Sequence, residues 1–131
     1  MCWFGSIAIY KENSKMATLN MEGPYTFNQM TINQKVTKKS AGNYALGHIK
    51  SDGTFVICYV GRSDSDLKAR LCQQLVEHPH PMFKFSYAKG VLEAYEKECR
   101  NYHDFGGSKS LENEIHPDKP YLTCLCPVCK C

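Results

Sequence analysis

The sequence predicts an α+β fold with a small antiparallel three-stranded sheet flanked by helices. An Asp-Gly turn separates two apolar runs in the middle of the chain, which is typical of a β-hairpin. Two stretches with apolar residues at helical spacing follow, and a run that alternates at strand spacing lies between them. The predicted order β-β-α-β-α is that of a compact α+β unit.

The hairpin strands are predicted over residues 43–49 and 55–60, on either side of the turn at residues 51–54. The second strand is rich in β-branched and aromatic residues, which favour extended backbone. Gly61 ends this strand. A helix is expected almost at once, with Ser63 as its N-cap.

The first predicted helix has acidic residues at its start and an apolar stripe behind them. Asp66 stands near capping-box spacing after the N-cap serine. Leu67, Leu71 and Leu75 recur at i, i+4 and i+8 and mark the buried side. Arg70 borders this stripe, a position where an arginine usually extends along the surface with its charge in water.

Two prolines in residues 78–81 end the first helix. Residues 82–88 alternate between aromatic and polar side chains and predict a third strand. Residues 89–103 predict a second helix, which Gly106 and Gly107 close.

Two segments flank the predicted core of residues 41–114. Residues 1–40 form an N-terminal extension that either lies outside the core or adds strands to it, because residues 25–36 alternate only loosely. Residues 115–131 form a cysteine-rich tail that is expected to bind zinc and to pack on the core.

Composition limits the class of protein. The chain has 131 residues, of which 43% are apolar and 22% are charged, as in an ordinary folded domain. The net charge of +3 permits contact with nucleic acid but does not argue for it. The apolar run Val56–Val60 is far too short for a membrane span, so no membrane association is expected. The apolar start of the chain lacks a preceding basic residue and a cleavage site, so no secretory signal is expected.

Eight cysteines are compatible with a secreted disulfide framework or with a reduced protein that holds a metal. Four of them crowd into the last eight residues, where pairing among themselves would be strained. The distribution therefore favours a metal site in a reducing compartment. We expect the cytoplasm, or the nucleus in a eukaryote.

Glu98 occupies an unusual position on the second helix. On a helical wheel Val91, Tyr95, Cys99 and Tyr102 define the buried face, and Glu98 falls about 20° from Val91. A buried carboxylate is costly unless it is paired or binds a cation. Glu98 is therefore a functional residue, one half of a buried ion pair, or exposed by a tilt of the helix.

The tail and the second helix together predict a zinc site. Cys99 and His103 are at i and i+4 and project from one side of the helix, while Cys126 and Cys129 frame a C-P-V-C knuckle. A redox pair, or metal held by the tail cysteines alone, are the alternatives. Other candidate ligands are His116, Cys124 and Cys131.

Residues 42–113 resemble the GIY-YIG nuclease family. The first motif of the family is matched by Gly42–Tyr44, with Asn43 where the family usually has an apolar residue. The second motif is matched by Tyr59–Gly61, and the hairpin between the two motifs has the family's order and length. The cysteine-rich tail is similar to zinc modules that some nucleases add to this core.

The resemblance implies metal-assisted hydrolysis of phosphodiester bonds. Arg70 matches the helix arginine of the family, and Glu98 matches its metal-binding glutamate. Glu98 would hold Mg²⁺ or Mn²⁺, and the cation would stabilise charge on the phosphate and the leaving oxygen. Arg70 would add a fixed positive fork. Tyr44 or Tyr59 would be the base for water, with Arg62 favouring the phenolate.

The resemblance also implies further contacts. Asn113 matches a later asparagine that would position the substrate or a catalytic side chain. Gly61, Ser63 and Lys68 would contact the substrate. The implied partner is nucleic acid, with DNA as the first expectation. For the two motif tyrosines, packing on the sheet is the alternative role.

Two other functions remain open from the sequence. One is a catalytically inactive, zinc-containing protein on the same fold that binds nucleic acid or acts as an adaptor. The other is a zinc-stabilised interaction module whose N-terminal segment is the contact surface. Metal-dependent cleavage would distinguish the nuclease from both.

Overall fold

A computed structural model describes residues 18–131, so Cys2 and the apolar start of the chain lie outside the described residues. The described part confirms an α+β fold. None of its helices is long and apolar enough to cross a lipid bilayer. In chain order the elements are β1 (Glu22–Thr26), α1 (Gln29–Lys35), β2 (Gly42–Ile49), β3 (Phe55–Ser63), α2 (Leu67–Glu77), β4 (Met82–Tyr87), α3 (Val91–Asp104) and a short 3₁₀ helix (Gly107–Lys109).

Within residues 18–131 the sheet has four antiparallel strands in the order β1-β4-β2-β3, so the prediction of three strands was wrong. The additional strand, β1, comes from the predicted N-terminal extension and pairs with β4 at one edge. Gly23 and Pro24 weaken its sequence pattern, because both residue types are rare in strands other than edge strands. After β1, Asn28 caps α1 by accepting a hydrogen bond from the Thr31 amide (2.8 Å).

Helices cover both faces of the sheet. On one face, Leu67 and Leu71 of α2 are fully buried in a cluster with Phe83 and Phe85 of β4, and Leu75 is partly buried against it. On the other face, aromatic residues from α3 and the turn after it pack on β2 and β3. Each fully buried leucine or phenylalanine contributes about 1.5–3 kcal/mol, so both faces anchor the helices that carry the site.

Helix α2 begins later than predicted. Ser63 is the last residue of β3, and its Oγ accepts a hydrogen bond from the Asp66 amide (2.9 Å) in the connecting turn. Asp66 is the N-cap instead, because its carboxylate accepts from the Ala69 amide (3.2 Å). The prediction of Ser63 as the N-cap was therefore wrong by three residues.

Candidate active site and metal centre

A cleft of about 390 Å³ opens where β2 and β3 meet α2, α3 and the segment 112–118. The fold collects there residues that are distant along the chain. Ser63 and Lys68, which were expected to contact substrate, do not line it. The predicted site residues that line the cleft are Tyr44, Tyr59, Gly61, Arg62, Arg70, Glu98 and Asn113.

The two motif tyrosines lie side by side in the lining of this cleft. Their ring centroids are 6.5 Å apart and their planes differ by 18°. Gly61 faces Tyr44 across the β2–β3 pair. A Cβ atom on Gly61 would lie 2.3 Å from the Cζ and Oη atoms of Tyr44, so glycine is required for the ring to lie across the strand.

Replacing Gly61 with alanine is expected to displace the Tyr44 ring and to lower the free energy of unfolding by about 1–3 kcal/mol. Urea denaturation measures the change. Gly90→Ala is the matched control, because its Cβ would meet nothing within 4 Å. Gly90 is the N-cap of α3, where alanine is less favourable than glycine, so a loss of at most about 1 kcal/mol is expected there. Equal stability of Gly61→Ala and the parent would contradict the packed position of Tyr44.

Burial raises the pKa of both tyrosines. Tyr44 is only 2% exposed and Tyr59 is half-buried, and the nearby Glu98 carboxylate raises both pKa values further. Arg70 lowers both pKa values, but this does not offset burial. The expected phenolate base is therefore not favoured in this arrangement.

Glu98 is buried, faces the cleft and forms an ion pair. Arg62 Nη1 donates to Glu98 Oε1 (2.6 Å), and Arg62 Nε donates to Asp64 Oδ1 (2.8 Å). The guanidinium also lies over the Tyr95 ring, 5.3 Å from its centroid. Arg62 therefore pairs with two carboxylates. Arg70, and not Arg62, is the arginine whose charge lowers the pKa values of Tyr44 and Tyr59. Burial raises the pKa of the Glu98 carboxyl by more than Arg62 lowers it.

The cleft carries more negative than positive charge. Among the described residues, Arg62 and Arg70 line it together with five carboxylates: Asp64, Glu98, Glu112, Glu114 and Asp118. Asp64 and Asp118 both raise the pKa of the Glu98 carboxyl through their charge. An excess of carboxylate oxygens attracts a hard divalent cation and repels a polyanion in the absence of one.

Asn113 has a structural role that the sequence did not predict. Its Nδ2 donates to the Val60 carbonyl (2.7 Å), and its Oδ1 accepts from the Val60 amide (3.0 Å). In the described sheet β3 lies at the edge, so no further strand pairs with Val60 on that side. The Asn113 side chain makes the two backbone hydrogen bonds that a neighbouring strand would make there. Both polar ends of the amide are used, so Asn113 fixes the wall of the cleft; its contact with substrate stays a prediction.

Asn113→Ala is expected to lower the free energy of unfolding by about 2–4 kcal/mol, because it leaves the buried amide and carbonyl of Val60 without hydrogen-bond partners. Thermal or urea denaturation tests this. Glu114→Ala, on the exposed next residue, is the control and should leave stability unchanged. A substrate-positioning role alone would give the opposite pattern, with normal stability and reduced cleavage.

His78 is a cleft residue that sequence reasoning missed. Its ring stacks on Tyr59, with 4.2 Å between centroids and 24° between planes. The sequence presented it only as part of the segment that ends α2. No local pattern distinguishes a histidine at a helix end from one that faces a cleft, so only the tertiary fold identifies it.

The cysteine-rich tail forms a Cys/His group against α3. The ligand atoms of His103, His116, Cys126 and Cys129 all lie within 4.8 Å of one another. The Nε2 atoms of His103 and His116 are 3.2 Å apart, and Cys129 Sγ lies 3.5 Å from His116 Nε2. Tetrahedral metal sites with these ligands place neighbouring donor atoms about 3.3–3.8 Å apart, so the group could hold a metal ion.

The turn that follows Cys126 favours the thiolate form of its side chain. The backbone amides of Val128 and Cys129 point at its Sγ, at 3.4 and 3.5 Å. Burial acts to raise the pKa of this thiol, but these amides and His116 outweigh burial and lower the pKa to about 6. A thiolate is the form that binds metal.

His116 occupies the place in the ligand group that was predicted for Cys99. Cys99 is fully buried with Tyr95, Cys124 and Cys126, and burial raises the pKa of its thiol to about 12. Such a thiol packs as an apolar side chain. The spacing of Cys99 and His103 at i and i+4 predicted that both would bind the metal. Instead, the segment 112–118 places His116 beside His103, Cys126 and Cys129.

The cleft and the Cys/His group share a wall. His116 is a member of the group and also lines the cleft, together with its neighbours in the segment 112–118. A metal held by the group would therefore fix this segment beside Glu98. No family model, no curated protein and no solved structure matches this chain.

Proposed function

We propose that this protein is a metal-dependent endonuclease that hydrolyses phosphodiester bonds of nucleic acid, with DNA as the favoured substrate. The observation that carries the proposal is the position of Glu98. It is a buried carboxylate that opens onto a cleft with two arginines and four further carboxylates. Burying a carboxylate destabilises the fold unless its charge is compensated, and a bound cation would compensate it.

Glu98 is the proposed ligand of one divalent cation, Mg²⁺ or Mn²⁺, and Asp64 and Asp118 are close enough to attract the ion electrostatically. When bound, the cation supplies Lewis-acid stabilisation of charge on the phosphate and on the leaving oxygen. Arg62 holds Glu98 in place in the absence of substrate. Arg70, which is exposed at the cleft, binds the phosphate with its planar guanidinium.

A water nucleophile needs a proton acceptor, and His78 is a better candidate than either tyrosine. Imidazole is the commonest general base in enzymes. The phenols are kept protonated by burial, so they donate hydrogen bonds that orient the water or the phosphate. The Tyr59 ring holds the His78 ring by stacking.

The tail group of His103, His116, Cys126 and Cys129 is proposed to hold structural Zn²⁺. Two imidazoles and two thiolates form the ligand set of a closed tetrahedral zinc site, in which no position is left for substrate. Its role would be to attach the tail to α3 and to hold His116, and with it the segment 112–118, beside the cleft.

A second candidate function is a non-catalytic protein that binds nucleic acid. The ion pair between Arg62 and Glu98 favours it, because the pair neutralises the buried charge without any cation. In that protein Glu98 would be a structural residue.

Cleavage by the full chain tests the proposal. Zinc-loaded, desalted protein is incubated with supercoiled plasmid, linear duplex, single-stranded DNA and RNA. Each substrate is tested with Mg²⁺, with Mn²⁺ and with no added cation. We expect cleavage that needs the added cation. Binding of these nucleic acids without cleavage, by folded protein, would favour the second candidate.

A further inference from the structure

A second cluster of metal-ligating side chains lies apart from the tail. Cys58 on β3, His80 just before β4, and Glu112 in the segment after the 3₁₀ helix place their ligand atoms within 4.8 Å of one another. Glu112 also lines the cleft, whereas Cys58 and His80 do not. The cluster combines a thiol, an imidazole and a carboxylate from three distant parts of the chain.

All three side chains are largely removed from water. Cys58 is fully buried, and the His80 and Glu112 side chains are 3% and 24% exposed. Ionisable groups are rarely buried together unless they pair or bind a metal. His80 and Glu112 do pair, with 3.0 Å between Nε2 and Oε1. The Cys58 thiol donates to the Val56 carbonyl (4.0 Å), and its Sγ lies within 4.8 Å of this pair, so the three ligand atoms converge on one point.

The backbone holds these ligands in place. The Glu112 amide donates to the Cys58 carbonyl (2.7 Å), which fixes the strap of residues 111–113 along β3. His48, on the paired strand β2, brings its Nδ1 to 3.7 Å from Cys58 Sγ. Donor atoms in a tetrahedral zinc site lie about 3.3–3.8 Å apart, so small side-chain shifts would bring the set to metal-binding geometry.

We propose that Cys58, His80 and Glu112 form a second transition-metal site, of the kind that takes Zn²⁺. Thiolate, imidazole and carboxylate are the three ligand types that zinc accepts. Three protein ligands leave one tetrahedral position, which a water molecule would fill. Binding releases the Cys58 thiol proton to solvent. The proton between His80 Nε2 and Glu112 Oε1 moves to His80 Nδ1 by exchange through solvent, so Nε2 and the carboxylate each bind the metal in place of their hydrogen bond.

The metal content of the full chain tests this site. Protein loaded with ZnCl₂ and then desalted is expected to hold two zinc ions per chain by mass spectrometry of the elements. Cys58→Ala and Glu112→Gln should each hold one. The glutamine oxygen can still accept a hydrogen bond from His80. Loss of one zinc ion from Glu112→Gln would therefore be due to removal of the carboxylate charge.

Two controls make the result specific. Cys72→Ala removes a half-buried thiol of α2 that belongs to neither group and should retain two ions. Cys126→Ser in the tail should also fall to one, and the double variant Cys58→Ala with Cys126→Ser should hold none.

Two outcomes would overturn the second site: one zinc per parent chain, or two zinc ions retained by both Cys58→Ala and Glu112→Gln. If circular dichroism finds Cys58→Ala unfolded, the decision passes to Glu112→Gln and to cobalt substitution of the parent. A second equivalent of Co²⁺ should then add a thiolate charge-transfer absorption that Glu112→Gln loses. This test is independent of whether the cleft hydrolyses phosphodiesters.

Discussion

Glu98→Gln is expected to lower the rate of metal-dependent cleavage by about 10²–10⁴-fold. The cation is worth several kcal/mol of transition-state stabilisation, and each 1.36 kcal/mol is a factor of ten in rate. Glutamine has nearly the same shape but lacks the charge that holds Mg²⁺ or Mn²⁺ in the cleft. Cleavage of a labelled oligonucleotide under single-turnover conditions measures the loss.

The same variant should be about as stable as the parent, which separates a catalytic effect from a folding defect. The pKa of the Glu98 carboxyl is raised in the folded chain, so its charged form is disfavoured there. Its contribution to stability therefore falls as pH rises from the ordinary glutamate value through the raised one. Glutamine avoids this cost at neutral pH and still accepts the hydrogen bond from Arg62, but Arg62 loses one of its two carboxylate partners and keeps only Asp64. The two effects oppose each other, so we expect a melting temperature close to that of the parent without added metal.

Glu96→Gln on the same helix is the matched control, because Glu96 does not line the cleft. It should cut like the parent. Parental rates for Glu98→Gln would remove Glu98 from the catalytic site.

Loss of a tail ligand is expected to have the largest effect on stability. Cys126→Ser and His116→Ala should each lose the zinc of the tail and lower the free energy of unfolding by at least about 3 kcal/mol, because zinc binding contributes about 10–16 kcal/mol in small zinc modules. Cleavage should fall as well, since His116 holds one wall of the cleft. Metal content and urea denaturation of the same samples provide the measurement.

Two further variants distinguish the ligand set from its neighbours. Cys131→Ser changes an exposed tail cysteine outside the group and should keep both zinc and stability. Cys99→Ala should keep the zinc and lose only packing. Zinc loss in Cys99→Ala together with zinc retention in His116→Ala would restore the ligand set expected from the sequence.

The sequence predicts most of the fold because the informative signals are local. The Asp-Gly turn, the leucine spacing of α2 and the prolines after it place the hairpin, both long helices and β4 within a few residues of where they lie. The sequence left open that the N-terminal extension adds strands, from the loose alternation over residues 25–36. The added strand β1 lies at Glu22–Thr26, and most of residues 25–36 are the helix α1 instead. The pairing of β1 with β4 is long-range, and Gly23 and Pro24 mask its pattern. The capping error at Ser63 has a similar cause, since a serine can serve a turn as well as a helix.

The candidate site was predictable only in part. Helical periodicity alone singled out Glu98, and the resemblance to the nuclease family named the tyrosines and Arg70 that line the same cleft. Three other features depend on long-range packing. They are the ion pair of Arg62 with Glu98, the stacking of His78 on a tyrosine, and the presence of His116 in the tail group. No spacing rule contains that information.

The most direct measurement is the location of Mn²⁺ by anomalous diffraction from crystals of the full chain soaked in MnCl₂. We predict a manganese peak about 2.1–2.4 Å from a Glu98 carboxylate oxygen, with Arg62 Nη1 moved away from Oε1. An intact bond between Arg62 and Glu98, with manganese absent from Glu98 or bound only to other carboxylates, would contradict a cation-dependent site at Glu98.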